Sequence, residues 1–444
     1  MPTADQARPI AHESELVAWF RAGDKPVADH RVGIEHEKIG VLADGSPVPY
    51  FGESGIEKLL AAYEARGWKP KKEGTHTISL ERPDGSNITL EPGGQFEMSD
   101  APRADLDAIA RRLDQDMLEL AELSRPLGLT WLGIGLRPFD SFEAIPWVPK
   151  GRYVVMREYL PTRGKLWREM MQRTATVQAN MDYIDEADAA AKLRAAFSVT
   201  SLVTALYANS PLREGKESGY LTYRGASWLD MDPDRCGLLP FAFEDGPIFQ
   251  RYTDWALDVP MFFVRRGDTF MPARGTTFRS FLRDGFAGER ASIADWELHL
   301  STLFPEVRLK RYVEVRGSDN GPLGLVRALP ALWMGLLYDD DALRAATALT
   351  AGLSMDDREQ LRSDVTRMGL RAKVGQHTAQ ELARELVAIA AAGLTAREVP
   401  PEERALLEPL AEIAASGRTR AELLLDVARS SNFDRRAIID FLKY

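Results

Sequence analysis

The sequence predicts an α+β fold in which an antiparallel β-sheet with flanking helices presents one polar, acidic face and the C-terminal part is helical. Three features predict it. Short strand-type segments bearing carboxylates recur at residues 31–38, 90–97 and 308–317. Residues 174–182 alternate strictly between polar and apolar side chains, as a strand with one face on a core does. From residue 326 the chain is rich in Glu, Arg and Ala and helical in character as far as Leu442-Lys443-Tyr444. With 444 residues, 45% of them hydrophobic, a large core is within reach as one big domain or two. The expected organisation is a single domain over 1–444, with a helical lead-in at 1–29, a sheet-based part at 30–340 and a helical region at 341–444.

Residues 13–22 and 54–66 predict short amphipathic helices on either side of the first acidic strand. In Arg31-Val-Gly-Ile-Glu35-His-Glu37-Lys38, Val32 and Ile34 alternate with the acids, and Gly33 and Gly40 disfavour a helix. On a strand, Glu35 and Glu37 share one face. Two adjacent carboxylates without partners repel until one takes a proton or a divalent cation neutralises both, and hard oxygen ligands suit Mg²⁺. A single Glu-x-Glu also fits a solvated polar face.

Residues 77–81 and 87–91, joined by Pro83-Asp84-Gly85, predict a β-hairpin. Beyond Glu91, Pro92-Gly93-Gly94 must bend the chain before Glu97; the glycine pair either turns a corner or lets phosphate approach the backbone. Neither a Walker A sequence nor G-x-G-x-x-G is present, so a P-loop or Rossmann nucleotide site is unsupported. Leu106, Ile109, Leu113, Met117 and Leu120 recur at helical spacing within 104–125 and read as core; Pro126 and Gly128 end that helix. A strand follows at 129–136, then a loop at 137–153 rich in proline and aromatic residues, which forms a pocket edge or a rigid surface connection.

In the alternating segment, Thr174, Thr176, Gln178, Asn180 and Asp182 share a face that lines a cavity or meets solvent. A helix is expected at 186–208 and a loop at 234–240, where Arg235 precedes Cys236. No histidine nearby in sequence suggests a base, so Cys236 reads as inert. In the third acidic segment, read as one strand, Tyr312, Glu314 and Arg316 share a face. That is either a surface ion pair or, in a phosphoryl-transfer site, a metal ligand beside a cation.

A net charge of −10 argues against sequence-independent nucleic-acid binding. The single cysteine excludes an intrachain disulfide framework and a cysteine-based zinc cluster. The amino terminus lacks an apolar leader core, and no run of roughly 18 apolar residues appears. A soluble, cytoplasmic protein without a membrane partner is therefore expected. Three carboxylate-bearing strands, one polar strand and scattered arginines together suggest a sheet whose concave face holds Mg²⁺ and ATP.

The chain also resembles the plant-type glutamate–cysteine ligases, a family that includes bacterial members. The motifs are Gly33-Ile-Glu35-His-Glu37-Lys38, Leu90-Glu-Pro-Gly-Gly-Gln-Phe-Glu97, Pro149-Lys-Gly-Arg152-Tyr153, Arg173-Thr-Ala-Thr-Val-Gln178, Asp234-Arg235-Cys-Gly-Leu-Leu-Pro240 and Phe304-Pro-Glu-Val-Arg-Leu-Lys-Arg-Tyr312, in that order. The resemblance implies a glutamine-synthetase-like carboxylate–amine ligase fold with a curved sheet. It implies ATP-dependent joining of the L-glutamate γ-carboxylate to the L-cysteine amine through γ-glutamyl phosphate, the first step of glutathione synthesis, with two or more Mg²⁺ ions.

By motif match it implies Glu35, Glu37, Glu91, Glu97 and Glu314 as metal ligands. It implies Arg235 and Arg316 as catalytic groups gripping phosphate or the glutamate carboxylate. Arg152, Tyr153, Arg173, Thr176, Gln178, Asn180 and Lys310 are implied as substrate or nucleotide contacts. Gln178 stands where a more distant bacterial branch has a histidine near metal. Arg173 has the wrong parity for the polar face, and Lys310 suits a surface role equally. Plant members are redox-regulated through cysteine pairs, which a single Cys236 cannot form. A monomer or weak homodimer is expected. A ligase of the same fold with another amine acceptor, or a non-catalytic nucleotide-binding protein, are the alternatives.

Overall fold

The computed structural model describes residues 8–444; the start of the expected helical lead-in, and most of the segment examined for a leader, lie outside the described residues. Among the described residues one sheet has nine strands: β1 (Val32–Val41), β2 (Lys69–Glu73), β3 (His76–Glu81), β4 (Asn87–Leu90), β5 (Phe96–Ser99), β6 (Thr130–Leu132), β7 (Thr176–Met181), β8 (Val307–Leu309) and β9 (Val313–Asp319). Their order is β8-β9-β7-β1-β5-β4-β3-β2, with β6 on the far end of β1. All pairings are antiparallel.

The alternation of side chains sets the two faces. Ile34, Val177, Ala179, Met181, Val313 and Val315 are buried on one face, against helices α3 (Glu186–Leu206) and α4 (Leu323–Leu337). On the same face further along, Leu80, Ile88, Leu90, Phe96 and Met98 pack with α1 (Ile56–Glu64) and α2 (Leu106–Ser124). Each such side chain, fully buried, contributes about 1.5–3 kcal/mol. A one-residue slip of β1 would drive Glu35 and Glu37 into this core and expel Ile34, so the apolar positions fix which way the acids point.

α3 is the one described helix long and apolar enough to cross a membrane by length and composition, yet Lys192 and residues 195–206 along it are buried inside the protein. It is the core helix behind β8 and β9, while α4 lies behind β7. Asp105 and Asp185 cap α2 and α3 through their side chains, satisfying backbone N–H groups at the first turns.

Four sequence expectations change. β2 was not foreseen: Lys69-Pro-Lys-Lys-Glu73 lacks apolar alternation because it is an exposed edge strand, where lysine and proline discourage further pairing. The strand expected at 129–136 is only three residues long. The loop at 137–153 gives way at Gly151 to a helix, Gly151–Tyr159. Residues 308–317 are not one strand but a hairpin, β8 turning at Lys310–Tyr312 into β9, which sets Arg308 opposite Glu314.

Candidate active site

On the face away from α3 and α4, register gathers the acids. Glu35 lies opposite Gln178, and Glu37 opposite Glu97, which itself faces Thr89 on β4. Glu35, Glu37, Glu91 and Glu97 line one cleft of about 1090 Å³ with Thr89, Thr174, Thr176 and Gln178. The polar face of β7 therefore lines a cavity. Gln178 and Asn180 donate to the two Glu35 oxygens at 3.0 and 2.9 Å, the Thr176 backbone N–H donates to Glu37 at 3.0 Å, and the Thr89 hydroxyl donates to Glu97.

These bonds do not neutralise the acids. Burial, then Glu314 and Glu97, push the Glu35 carboxyl up to about 7. Burial, then Glu97 and Glu91, hold Glu37 well above the usual range, and burial and Glu91 raise Glu97. Gln178 Oε1 and Asn180 Oδ1 are buried without hydrogen-bond partners. Beside Glu35 the unsatisfied groups are hard oxygens and the neighbouring charge is negative, a donor set that fits Mg²⁺. Among the described residues no three His, Cys, Asp or Glu side chains already stand in a ligating arrangement, so binding an ion requires these carboxylates to turn toward it.

Cations line the same cleft: Lys150, Arg152, Arg224, Arg308 and Arg316. Lys150 and Tyr153 both donate to the Leu90 carbonyl, at 2.7 and 2.6 Å, so the end of the 137–150 loop is anchored as a pocket edge. Burial brings the Lys150 ammonium down to about 8 against the pull of Glu91. Gly93 resolves the glycine-pair question. A Cβ there would lie 2.2 Å from the Gln172 carbonyl, so the pair turns a corner against protein backbone.

Several expected site residues land elsewhere. Arg235 is fully buried against Asp232 at 2.6 Å, the Pro260 carbonyl and the Phe262 ring, away from the cleft. Arg173 is likewise buried, bound to Glu169, Glu214 and the Asp140 carbonyl, as its parity foreshadowed. Glu314 is not free to ligate: Arg308, Lys310 and Arg316 approach it at 2.7, 2.9 and 2.7 Å. Burial acts to raise its pKa, but the three cations Arg308, Lys310 and Arg316 outweigh it and hold the carboxyl below the ordinary range. Lys310 is thereby occupied with Glu314 rather than exposed to a ligand. Arg316, Arg152, Tyr153, Thr176 and Gln178 do line the cleft, and Asn180 reaches it through Glu35. The Cys236 thiol is pushed up to about 12, first by burial, which fits the inert reading.

Residues 31–439 match the family model Glutamate-cysteine ligase family 2. The chain belongs to glutamate–cysteine ligase family 2. The chloroplastic glutamate–cysteine ligase of Arabidopsis thaliana is 41% identical over 423 residues, covering 94% of this chain and 80% of its own. That of Nicotiana tabacum is 40% identical over 432 residues, covering 96% and 82%. A solved glutamate–cysteine ligase from Francisella tularensis, in complex with AMP, superposes with a TM-score of 0.58 at 14% identity, over 93% of this chain and 87% of that one. The α+β architecture, a large antiparallel sheet with flanking helices, is thus shared with that solved structure.

Within this ligase-family chain, sequence reading missed Arg224, Lys150 and Arg308. Arg224 is buried in the cleft wall, with one Nη donating to the Arg316 carbonyl at 2.7 Å and Nε unpartnered. Asp319, 3.8 Å from it, is fixed by Ser210, Thr222 and the Asn209 backbone. No acidic or alternating pattern surrounds Arg224 in sequence; only folding brings it to the acids.

Proposed function

We infer that this cleft is where the chain carries out ATP-driven glutamate–cysteine ligation, the first step of glutathione biosynthesis. The observation that supports the placement is that Glu35, Glu37, Glu91 and Glu97 share a single cleft with Lys150, Arg152, Arg224 and Arg316. ATP and a glutamate carboxylate repel each other, and such a reaction needs both kinds of group. Glu35, Glu37, Glu91 and Glu97 are proposed to hold Mg²⁺. When bound, Mg²⁺ supplies positive charge that offsets the phosphate oxygens and orients the transferring group.

The chain's own residues do the rest. Arg224 and Arg316 present guanidinium groups for bidentate contact with a carboxylate or phosphate. Lys150 and Arg152, at the opposite edge, hold the second anion so that the γ-carboxylate oxygen meets the terminal phosphorus of ATP in line. That step forms γ-glutamyl phosphate and releases ADP. The cysteine amine then attacks the acyl carbon, its C–N bond forming as the phosphate C–O bond breaks, and the ammonium proton is lost to solvent. Gln178 and Asn180 keep Glu35 oriented, and Thr176 and Thr89 do so for Glu37 and Glu97.

A monomer or weak homodimer is proposed as the working unit. One core cluster running from Leu16 to Ala414 supports a single catalytic domain over the whole chain. The lone, half-buried cysteine, its thiol pushed up, supports operation in a reducing compartment such as the cytoplasm, without disulfide control.

The test is ADP release with Mg-ATP and L-glutamate, with and without L-cysteine, and identification of γ-glutamylcysteine by mass. Cysteine-dependent product is expected. ADP with another amine and not with cysteine would move the acceptor, and no ADP with any amine would overturn the reading.

A further inference from the structure

Behind the sheet, His36 sits between Glu35 and Glu37 on β1 and points away from the cleft. Its ring is buried, and its Nε2 lies 2.8 Å from the Tyr444 hydroxyl and 3.2 Å from Asn320 Oδ1. The Gly321 N–H donates to that same Asn320 oxygen at 2.8 Å, which marks it as the acceptor end of the amide. Nε2 of His36 therefore carries a ring proton and donates it. The Tyr444 hydroxyl accepts from His36 and passes its own proton to Asn320 Oδ1 or the Gly321 carbonyl, each at 2.9 Å.

Tyr444 reaches this place because residues 442–444 pair with β6: the Gly133 N–H donates to the Leu442 carbonyl at 2.9 Å and the Tyr444 N–H to the Trp131 carbonyl at 3.2 Å. A Cβ on Gly133 would meet the Gly321 carbonyl at 2.6 Å and the Tyr444 ring at 3.0 Å, so a glycine is required where the ring passes.

We propose that Tyr444 is a positioning residue for the acidic site, its hydroxyl joining β1 at His36 to the end of β9 at Asn320. Both joined points back working groups. A rotation of β1 at His36 displaces the flanking Glu35 and Glu37 together. Asn320 follows Asp319, whose carboxylate lies beside Arg224. The hydroxyl thus adds to the direct His36–Asn320 contact in holding the acids and a cleft arginine in common register from the reverse side of the sheet, a second layer of support of the kind that metal and oxyanion sites depend on. The C-terminal region, expected from sequence only to be helical, takes part in the site in this way.

The proposal rests on the metal reading above, and the experiment separates the two. Direct Mn²⁺ binding, followed by electron paramagnetic resonance on the full chain, is compared for the wild type, Glu35→Gln, Tyr444→Phe, His36→Leu and His36→Gln, alongside kcat, KM and thermal midpoint. Tyr444→Phe keeps the ring and its packing; it is expected to weaken Mn²⁺ binding about threefold or more and to lower kcat with little change in thermal midpoint. His36→Leu should do the same, while His36→Gln, whose amide donates from near the Nε2 position, should restore most of the affinity. If Tyr444→Phe does not fold, the two His36 variants carry the test. Wild-type binding that Glu35→Gln abolishes but that Tyr444→Phe and His36→Leu leave unchanged would overturn the proposal alone; a wild type that binds no Mn²⁺ would overturn the metal reading and the proposal with it.

Discussion

Glu37 and Glu97 face each other directly across the β1–β5 pair, both half-buried and both with carboxyls raised above the usual range. Like charges directly opposite on a sheet destabilise it, so this pair is held against its own repulsion for what it binds. Glu97→Gln should therefore stabilise the metal-free protein by up to about 1 kcal/mol while lowering kcat/KM by at least about 100-fold, as loss of a group that acts on the transition state does. Thermal unfolding in chelator, beside the ADP assay, checks both. Full activity in the variant would remove Glu97 from the site.

Metal binding should release protons. Glu35, raised to about 7, and the raised Glu37 and Glu97 hold part of a proton load near neutrality that a cation displaces. Mg²⁺ titrations by calorimetry at pH 6.5 in buffers of different ionisation enthalpy should show net release, reduced in Glu35→Gln. The sign for stability follows from the same shift. The folded-state value for Glu35 lies above the ordinary 4.5, so its contribution is fully present below 4.5 and is lost as pH rises through about 7. The metal-free protein should thus lose stability between pH 5 and 8, and Mg²⁺ should restore it.

Glu314 should behave in the opposite way to Glu97. Its removal leaves Arg308, Lys310 and Arg316 converging on an uncharged centre. Breaking a buried ion cluster by deleting one partner costs about 3–5 kcal/mol, so Glu314→Gln should show a large drop in urea-unfolding stability. A variant as stable as the wild type would mean that the cations find other partners.

Arg224→Lys keeps the charge but loses the planar fork. Its kcat/KM should fall about 10- to 100-fold, with the KM for glutamate or ATP rising, and its thermal midpoint should stay near that of the wild type because Asp319 retains Ser210, Thr222 and the Asn209 backbone as partners. Unchanged kinetics would place the anion contact on Arg316 alone.

The acids and the strands that carry them were legible because strand alternation is a local property: Glu35, Glu37, Thr176 and Gln178 lie two apart, and period-two spacing alone puts each pair on one face. The resemblance added the family. Charge pairing, by contrast, depends on which strands meet and where chains turn. The hairpin at 310–312 set three cations around Glu314, and Arg235 and Arg173, which look in sequence like any motif arginine, found buried carboxylates far from the cleft. Arg224 and Tyr444 carry no pattern at all; each gains its role from partners some 90 to 400 residues away. Sequence by itself determined the faces of the sheet and the helices behind it, because side-chain periodicity and apolar burial act within each element. Only the tertiary structure decided which ionisable groups share a cleft and which neutralise one another in the core, because Coulomb interaction and desolvation depend on distances that no single element contains.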